Sequence, residues 1–164
     1  MKATKKITKV DPEAQLRMNE RKWTKPLMAA RFTVVPYVVL DRQDAIGLTP
    51  VEVNVLMLLA NHWWQADNLP DPSKRSLAKR LGVSEKTIQR AVKRLEDVRF
   101  IKRKYRYHPV THGQQTNFYD FSGLIAAAEP YAEEERERRK AREVQQATRG
   151  DRKKPRPHLL DEKE

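Results

Sequence analysis

The sequence contains no cysteine, which excludes disulfide bonds, thiol catalysis and zinc sites built on cysteine. This composition fits a reducing compartment. No run of apolar residues is long enough to span a bilayer. The basic first ten residues, MKATKKITKV, are not followed by an apolar stretch, so we expect no secretory signal. Together these absences predict a cytoplasmic protein that has no membrane partner.

The chemistry of most enzymes is also missing from the sequence. We find no nucleophile–base pair, no phosphate-binding glycine loop and no paired carboxylate motif. His108 and His112 have the spacing of two metal ligands, but no cysteine and no nearby acidic cluster completes a site. We therefore expect no catalytic residue, no metal and no cofactor, and we predict that the protein is not an enzyme.

Positive charge is abundant and concentrated in one part of the 164-residue chain, whose net charge is +12. Residues 73–122 carry 13 basic and 4 acidic side chains, whereas residues 31–72 carry 2 basic and 5 acidic ones. A localised excess of this kind is what a surface that binds a polyanion requires. Attraction to a membrane surface fits less well, because the basic segments lack a broad apolar face.

The segment from Ser73 to Arg106 has the pattern of a helix, a tight turn, a second helix and a basic strand. Ser73 and Ser84 are suited to cap the two helices, and Gly82 is suited to end the first in a left-handed conformation. Apolar residues recur at helical spacing, and they predict the inner faces of both helices: Leu77, Ala78, Leu81, Ile88, Ala91, Val92 and Leu95.

The outward residues of this segment have the chemistry of a DNA-binding surface. Arginine and lysine can bind guanine edges or phosphates, glutamine can bind adenine, and capped helix starts suit phosphates. In the predicted recognition helix, residues 85–98, the expected base or phosphate contacts are Lys86, Thr87, Gln89, Arg90, Lys93 and Arg94. Ser73, Lys74, Arg75 and Ser84 are expected to anchor phosphates, and Lys102, Lys104 and Arg106 to hold a wing to the backbone. The alternative is a charged helix face that is simply solvated.

The sequence LAKRLGVSEKTIQRAVKRLE resembles the core of bacterial winged helix-turn-helix regulators and of phage or plasmid replication-associated proteins. Upstream, FTVVPYVVLDRQDAIGLTPVEVNVLMLLANHWW resembles the lead-in segment and first helix of that family; downstream, GQQTNFYDFSGLI resembles its wing tip, return strand and next helix start. The resemblance covers residues 23–128. It implies a mainly α fold with a small β wing and DNA binding, and it leaves the biological role open.

The flanking elements can also be predicted. Residues 32–40, rich in β-branched and aromatic residues and interrupted by Pro36, predict a short edge strand or an extended segment packed on the domain. Thr49, Pro50 and Glu52 predict a capped helix start, with the helix running to about Gln65. Residues 100–107 alternate as a strand with one basic face, residues 108–116 form a wing loop, and residues 117–121 return as the second wing strand.

The ends of the chain differ in composition from this central domain. We expect a flexible basic arm over residues 1–22, with a short helix around 13–22, and the winged helix-turn-helix domain over residues 23–128. A helix starting at Ser122 is expected to kink or restart at Pro130 and to continue as a charged extension over residues 129–148. Residues 149–164 have the composition of a flexible tail.

The sequence thus favours a sequence-specific double-stranded DNA-binding protein of the nucleoid, a transcriptional regulator. One alternative is a plasmid or phage replication-initiation or maintenance protein. Others are a protein-assembly module or a non-specific nucleic-acid binder, with Tyr105, Tyr107 and Tyr119 as stacking candidates on single strands. A homodimer stays open, as does a protein partner bound through the C-terminal helix or through Trp63 and Trp64.

Overall fold

The computed structural model describes residues 11–152, with side chains for residues 11–148. Seven helices come first: α1 (Pro12–Trp23), α2 (Lys25–Ala29), α3 (Tyr37–Asp41), α4 (Gln43–Ile46), α5 (Pro50–Ala60), α6 (Lys74–Leu81) and α7 (Glu85–Asp97). The hairpin of β1 (Lys102–Lys104) and β2 (Phe118–Asp120) follows, and then α8 (Ser122–Arg152). The predicted fold class, mainly α with a small β wing, is confirmed.

Local capping signals define the three central helices. The Thr49 hydroxyl accepts from the backbone N–H of Glu52, and the Glu52 carboxylate accepts from the backbone N–H of Thr49 at 2.8 Å, which completes the predicted capping box of α5. Ser73 and Ser84 cap α6 and α7, each accepting a backbone hydrogen bond at 3.1 Å. Gly82 ends α6 in the left-handed region with φ of 67°.

The core lies where α5, α6, α7 and the wing meet. Its most deeply buried side chains come from all four of these parts: Leu59, Leu77, Ile88, Leu95, Ile101 and Tyr119. Helix α5 ends at Ala60 and not near Gln65 as predicted, because His62 and Trp63 donate backbone hydrogen bonds only three residues back, which tightens the chain into a turn.

The edge strand predicted for residues 32–40 is wrong, and the alternative, an extended segment packed on the domain, fails from Tyr37 onward, where a helix begins. The chain is irregular up to Pro36 and then forms helix α3, in which Val38 and Val39 are both buried. In a strand, two consecutive side chains point to opposite faces, whereas in a helix neighbouring residues can both lie within one apolar stripe. Burial of both valines against one core therefore favours the helix over the β preference of the residues.

The wing is a short antiparallel ladder that is tied to the loop before α6. Lys102, Arg103 and Lys104 pair with Asp120, Tyr119 and Phe118. The backbone N–H of Tyr119 also donates to the carbonyl of Pro70 at 2.9 Å. The predicted return strand is present as β2. The first strand, predicted over residues 100–107, forms only over the three residues of β1. This attachment places the wing beside the start of α6.

Helix α8 begins at Ser122, as predicted. It continues through Pro130 without the predicted restart and ends at Arg152, past residue 148, where the predicted extension ends. Pro130 is exposed, so water can bind the carbonyl group that the proline leaves free. The short helix expected in the N-terminal arm is present as α1. Residues 1–10 of that arm and residues 153–164 of the predicted tail lie outside the described residues. Across residues 11–152, no helix is long and apolar enough to cross a membrane.

Candidate nucleic-acid interface

Helix α7 has one buried face and one exposed face. Ile88, Ala91, Val92 and Leu95 are buried in the core and fix the orientation of the helix. The opposite face exposes four side chains that can donate hydrogen bonds: Lys86, Gln89, Arg90 and Lys93. The packing of the inner face therefore presents to solvent a row of groups suited to base edges and phosphates.

The start of α7 is held by its own side chains. The Ser84 hydroxyl accepts from the backbone N–H of Thr87 at 3.1 Å and lies 2.9 Å from the Thr87 hydroxyl. Thr87 is half-buried by this contact, whereas Lys86 beside it is exposed. Of the predicted contacts, Ser84 and Thr87 thus have a clear part in fixing the helix start.

A groove of about 350 Å³ joins the starts of α6 and α7 to the wing. Ser73, Lys74 and Arg75 line it on one side, Glu85 marks the start of α7, and residues 114–117 line it from the wing. Asn117 is buried, and its carboxamide oxygen has no hydrogen-bond partner within the part of the chain that the structure describes. The groove brings together three elements that the sequence separates by up to 44 residues.

Sequence reasoning missed the wing residues of this groove. The run Gln114-Gln115-Thr116-Asn117 is rich in amide and hydroxyl groups, which are able to bind phosphates and bases. This polar composition is the feature of the sequence from which a nucleic-acid contact at residues 114–117 could have been predicted. Its proximity to Ser73 depends on the hairpin register and on the contact between Tyr119 and Pro70, neither of which is visible in the local sequence.

The predicted cations fall into two groups. Five of them make no ion pair with another described residue: Lys74, Arg75, Lys86, Arg90 and Lys102. They are distributed over α6, α7 and β1, and Lys74 and Arg75 line the groove itself. Their charge is not neutralised by a neighbouring carboxylate, so they are the best placed of the predicted residues to bind an anionic backbone.

Four other predicted cations are engaged within the protein. Lys93 pairs with Asp97 at 2.8 Å, Lys104 with Asp120 at 3.3 Å, and Arg106 with Asp71 at 2.7 Å. Arg94 pairs with Glu52 and also donates to the carbonyl of Gly47 at 3.0 Å. The two contacts of Arg94 hold α7 against the segment from Gly47 to the first turn of α5.

The partner of Arg94 is the buried carboxylate of Glu52, which is only 3% exposed. Burial raises the pKa of this carboxyl, but the hydrogen bonds from Arg94 and Thr49, together with the Arg94 charge, outweigh it and lower the pKa overall. Glu52 therefore stays ionised, and it holds Arg94 at the edge of α7 instead of leaving it free.

Asp71 links the wing to the loop before α6. Its carboxylate accepts from Arg106 and also lies 3.4 Å from the Thr116 hydroxyl, so it joins both sides of the hairpin to the loop before α6. The Arg106 guanidinium lies 4.2 Å from the ring centroid of Phe118. Arg106 is half-buried, so the basic face predicted for residues 102, 104 and 106 is not uniformly exposed.

His108 stabilises the turn at the tip of the wing. Its Nδ1 atom accepts backbone hydrogen bonds from Val110 at 3.2 Å and from Thr111 at 3.1 Å, and its own backbone N–H donates to Gly113 at 2.9 Å. Val110 is left as the most exposed large apolar residue of the loop. The His108 ring therefore shapes the turn through its ring nitrogen.

Residues 47–101 match the family model described as a helix-turn-helix domain. This segment is a helix-turn-helix domain. The match runs from the left-handed glycine before α5 to Ile101, so it includes α5, α6 and α7 and stops where the wing begins. No curated protein matches the sequence. A helix-turn-helix domain points to DNA as the partner and to a binding role.

Proposed function

We propose that this protein binds double-stranded DNA at a specific sequence and acts as a transcriptional regulator in the nucleoid. Helix α7 enters the major groove, and the wing follows the backbone or the adjacent minor groove. The observation that supports this most strongly is the groove at which the starts of α6 and α7 meet residues 114–117 of the wing. It lies beside the exposed row on α7, so one duplex can contact all three elements.

Within this proposal, the exposed row on α7 reads bases. Arg90 can bind guanine through its two terminal nitrogens, and Gln89 can bind adenine through its carboxamide. Lys86 and Lys93 lie on the same exposed face and bind bases or phosphates. The Lys93 side chain is 71% exposed, so its surface ion pair with Asp97 is weak enough to be exchanged for a DNA contact. These side chains stand on a helix whose inner face is packed in the core, and this packing supports the proposal by holding the helix that carries them in one orientation.

Phosphate contacts surround this row. Ser73, Lys74 and Arg75 lie at the N-terminus of α6, where backbone N–H groups and the helix dipole favour an anion. Lys102 on β1 supplies the phosphate contact of the wing. Arg94, Lys104 and Arg106 were predicted as contacts from the sequence, and we propose that they act mainly by positioning α7 and the wing.

The proposal is tested by selecting bound fragments from a random double-stranded DNA pool at physiological salt, with single-stranded competitor present. We expect an enriched duplex motif, and we expect its genomic copies to lie at promoters. Copies at a replication origin would instead favour replication initiation. Salt-sensitive retention without enrichment would mean non-specific binding, and no retention would overturn the proposal in favour of a protein-assembly role.

A matched pair of variants tests whether α7 itself contacts the selected DNA. Arg90→Ala removes a cation from the exposed row of α7, whereas Lys140→Ala removes an exposed cation from the distal part of α8. Both variants lose one positive charge. If α7 reads the DNA, Arg90→Ala weakens binding to the enriched motif by about 5- to 150-fold and relaxes one base position, while Lys140→Ala changes neither.

A further inference from the structure

Helix α1 packs on no core that the described residues form. None of its residues is buried, and the large apolar side chains at its end and in the following turn are widely exposed, Trp23 by 63% and Leu27 by 59%. An isolated helix of 12 residues is only marginally stable in water. We call the exposed segment from Arg21 to Leu27 the α1–α2 corner. Its apolar surface lacks a partner in the part of the chain that the structure describes.

The same chain has an apolar groove that no other described residue fills. It has a volume of about 440 Å³ and lies between residues 34–39, the end of α5 and the first turns of α8. Trp63 and Phe121 stack within its wall, with ring centroids 5.2 Å apart and planes 6° from parallel. Val34 and Ile125 stand exposed at its edge. We call this the α3/α8 groove. Its size and apolar lining suit a tryptophan and a leucine side chain.

The two surfaces carry opposite charges. Five acidic residues lie on α3 and on residues 122–135 of α8: Asp41, Glu129, Glu133, Glu134 and Glu135. Arg42 pairs with Asp41 and Glu134, and Arg138 pairs with Glu135. Glu129, which lines the groove, and Glu133 make no ion pair with another described residue. The α1–α2 corner contains Arg21, Lys22 and Lys25, and none of these makes an ion pair with another described residue. Apolar side chains beside three cations therefore match an apolar groove whose lining includes the Glu129 carboxylate, with Glu133 one helical turn further along α8.

We propose that the α3/α8 groove receives the α1–α2 corner of a second copy of this chain, so that two copies form a reciprocal dimer. A two-fold arrangement uses the corner and the groove of each copy once and leaves neither exposed. The carboxylates of Glu129 and Glu133 also argue against DNA as the occupant of the groove, because they would repel phosphates. This inference does not depend on the proposed DNA sequence specificity.

The dimer leaves the candidate DNA-binding surface free. The groove is lined by residues 34–39, 60–63 and 121–132, whereas the free cations lie on α6, α7 and β1. Two copies can therefore present two recognition helices at once, and each helix can read one half of a longer site. Dimer formation and DNA binding are separable by mutation, since they use different residues.

The test is sedimentation velocity on the full chain over a wide range of concentrations, without DNA. We expect a concentration-dependent dimer. Trp23→Ala in the corner or Ile125→Asp in the groove should weaken it by at least about tenfold, as for a central interface residue. Val144→Asp, which replaces an exposed apolar residue in the distal part of α8, should leave dimerisation unchanged. Circular dichroism confirms that each variant remains folded.

Charge reversal makes the test specific for this pairing. Lys22→Glu and Glu129→Lys should each weaken the dimer, and the two variants mixed together or the two changes combined in one chain should recover part of the affinity. A chain that is monomeric at every concentration would overturn the proposal, as would a dimer insensitive to both Trp23→Ala and Ile125→Asp. Open-ended growth with concentration would replace the reciprocal dimer with head-to-tail assembly and overturn it too.

Discussion

Arg94 of α7 donates a hydrogen bond to the buried carboxylate of Glu52 on α5, and its second amino nitrogen lies 3.0 Å from the carbonyl oxygen of Gly47. Arg90, one helical turn earlier, is exposed and makes no ion pair with another described residue. The two arginines have the same chemistry and lie on the same helix. Their surroundings give Arg94 a part in stability and leave Arg90 available for a ligand.

Arg94→Ala should destabilise the fold, because it leaves the Glu52 carboxylate buried and unpaired. We expect a loss of about 3 kcal/mol in the free energy of unfolding, at the low end for a broken buried pair because Arg94 is itself 47% exposed. Arg90→Ala, the matched control, should cost less than about 0.5 kcal/mol. Urea unfolding of both variants measures the difference. Equal losses would contradict the assignment of Arg94 as the positioning residue.

Stability should fall with acid, and Glu52 should account for part of the fall. The pKa of Glu52 is lowered in the folded protein from its ordinary value of 4.5, so its ionised form stabilises the fold above that value, and this contribution is lost as pH falls through the folded-state pKa. Glu52→Gln should therefore flatten the decline in unfolding free energy below about pH 4.5. An unchanged slope between pH 6 and pH 3 would show that Glu52 does not contribute.

Gly123→Ala should disrupt the junction of the wing and α8. An added Cβ atom at Gly123 would lie 1.7 Å from the carbonyl oxygen of Arg99, and backbone cannot yield as a flexible side chain can. We expect a loss of about 1–3 kcal/mol. Gly113→Ala is the control, since its nearest contact would be the Thr111 hydroxyl at 3.5 Å. Thermal unfolding should separate the two, and a neutral Gly123→Ala would contradict this packing.

Two lysines of the first wing strand should differ in their effect on DNA binding. Lys102 makes no ion pair with another described residue, whereas Lys104 pairs with Asp120 at 3.3 Å. Lys102→Ala should weaken binding to all sequences alike and reduce the slope of log affinity against log salt by about one. Lys104→Ala should reduce this slope by a smaller amount. Affinity measured by fluorescence anisotropy from low to high salt tests this, and the reverse order would contradict it.

Local signals in the sequence were sufficient for the central helices. Ser73, Ser84 and the capping box of Thr49 satisfy backbone groups within three residues of themselves, and Gly82 needs only its own backbone conformation. Interactions of this range can be read from a short window. The helix starts and the turn between α6 and α7 were predictable for that reason.

Features set by distant residues could not be predicted in this way. Arg94 has the spacing of an exposed recognition residue, and only the approach of α5 brings Glu52, 42 residues away, within hydrogen-bonding distance. Arg106 likewise meets Asp71 across 35 residues. Val38 and Val39 favour a strand intrinsically, but packing against the core selects a helix. In each case tertiary contact outweighs the local pattern.

The central claim is that the exposed row of α7 reads a DNA sequence, and the most direct measurement compares the motif selected by the wild type with that selected by Arg90→Ala/Lys93→Ala. Each chain is first shown to be folded by its unfolding curve. We predict that the double variant binds the wild-type motif more weakly and loses base preference at the positions these side chains contact. An identical motif bound with unchanged affinity would contradict the assignment of α7 as the reading helix.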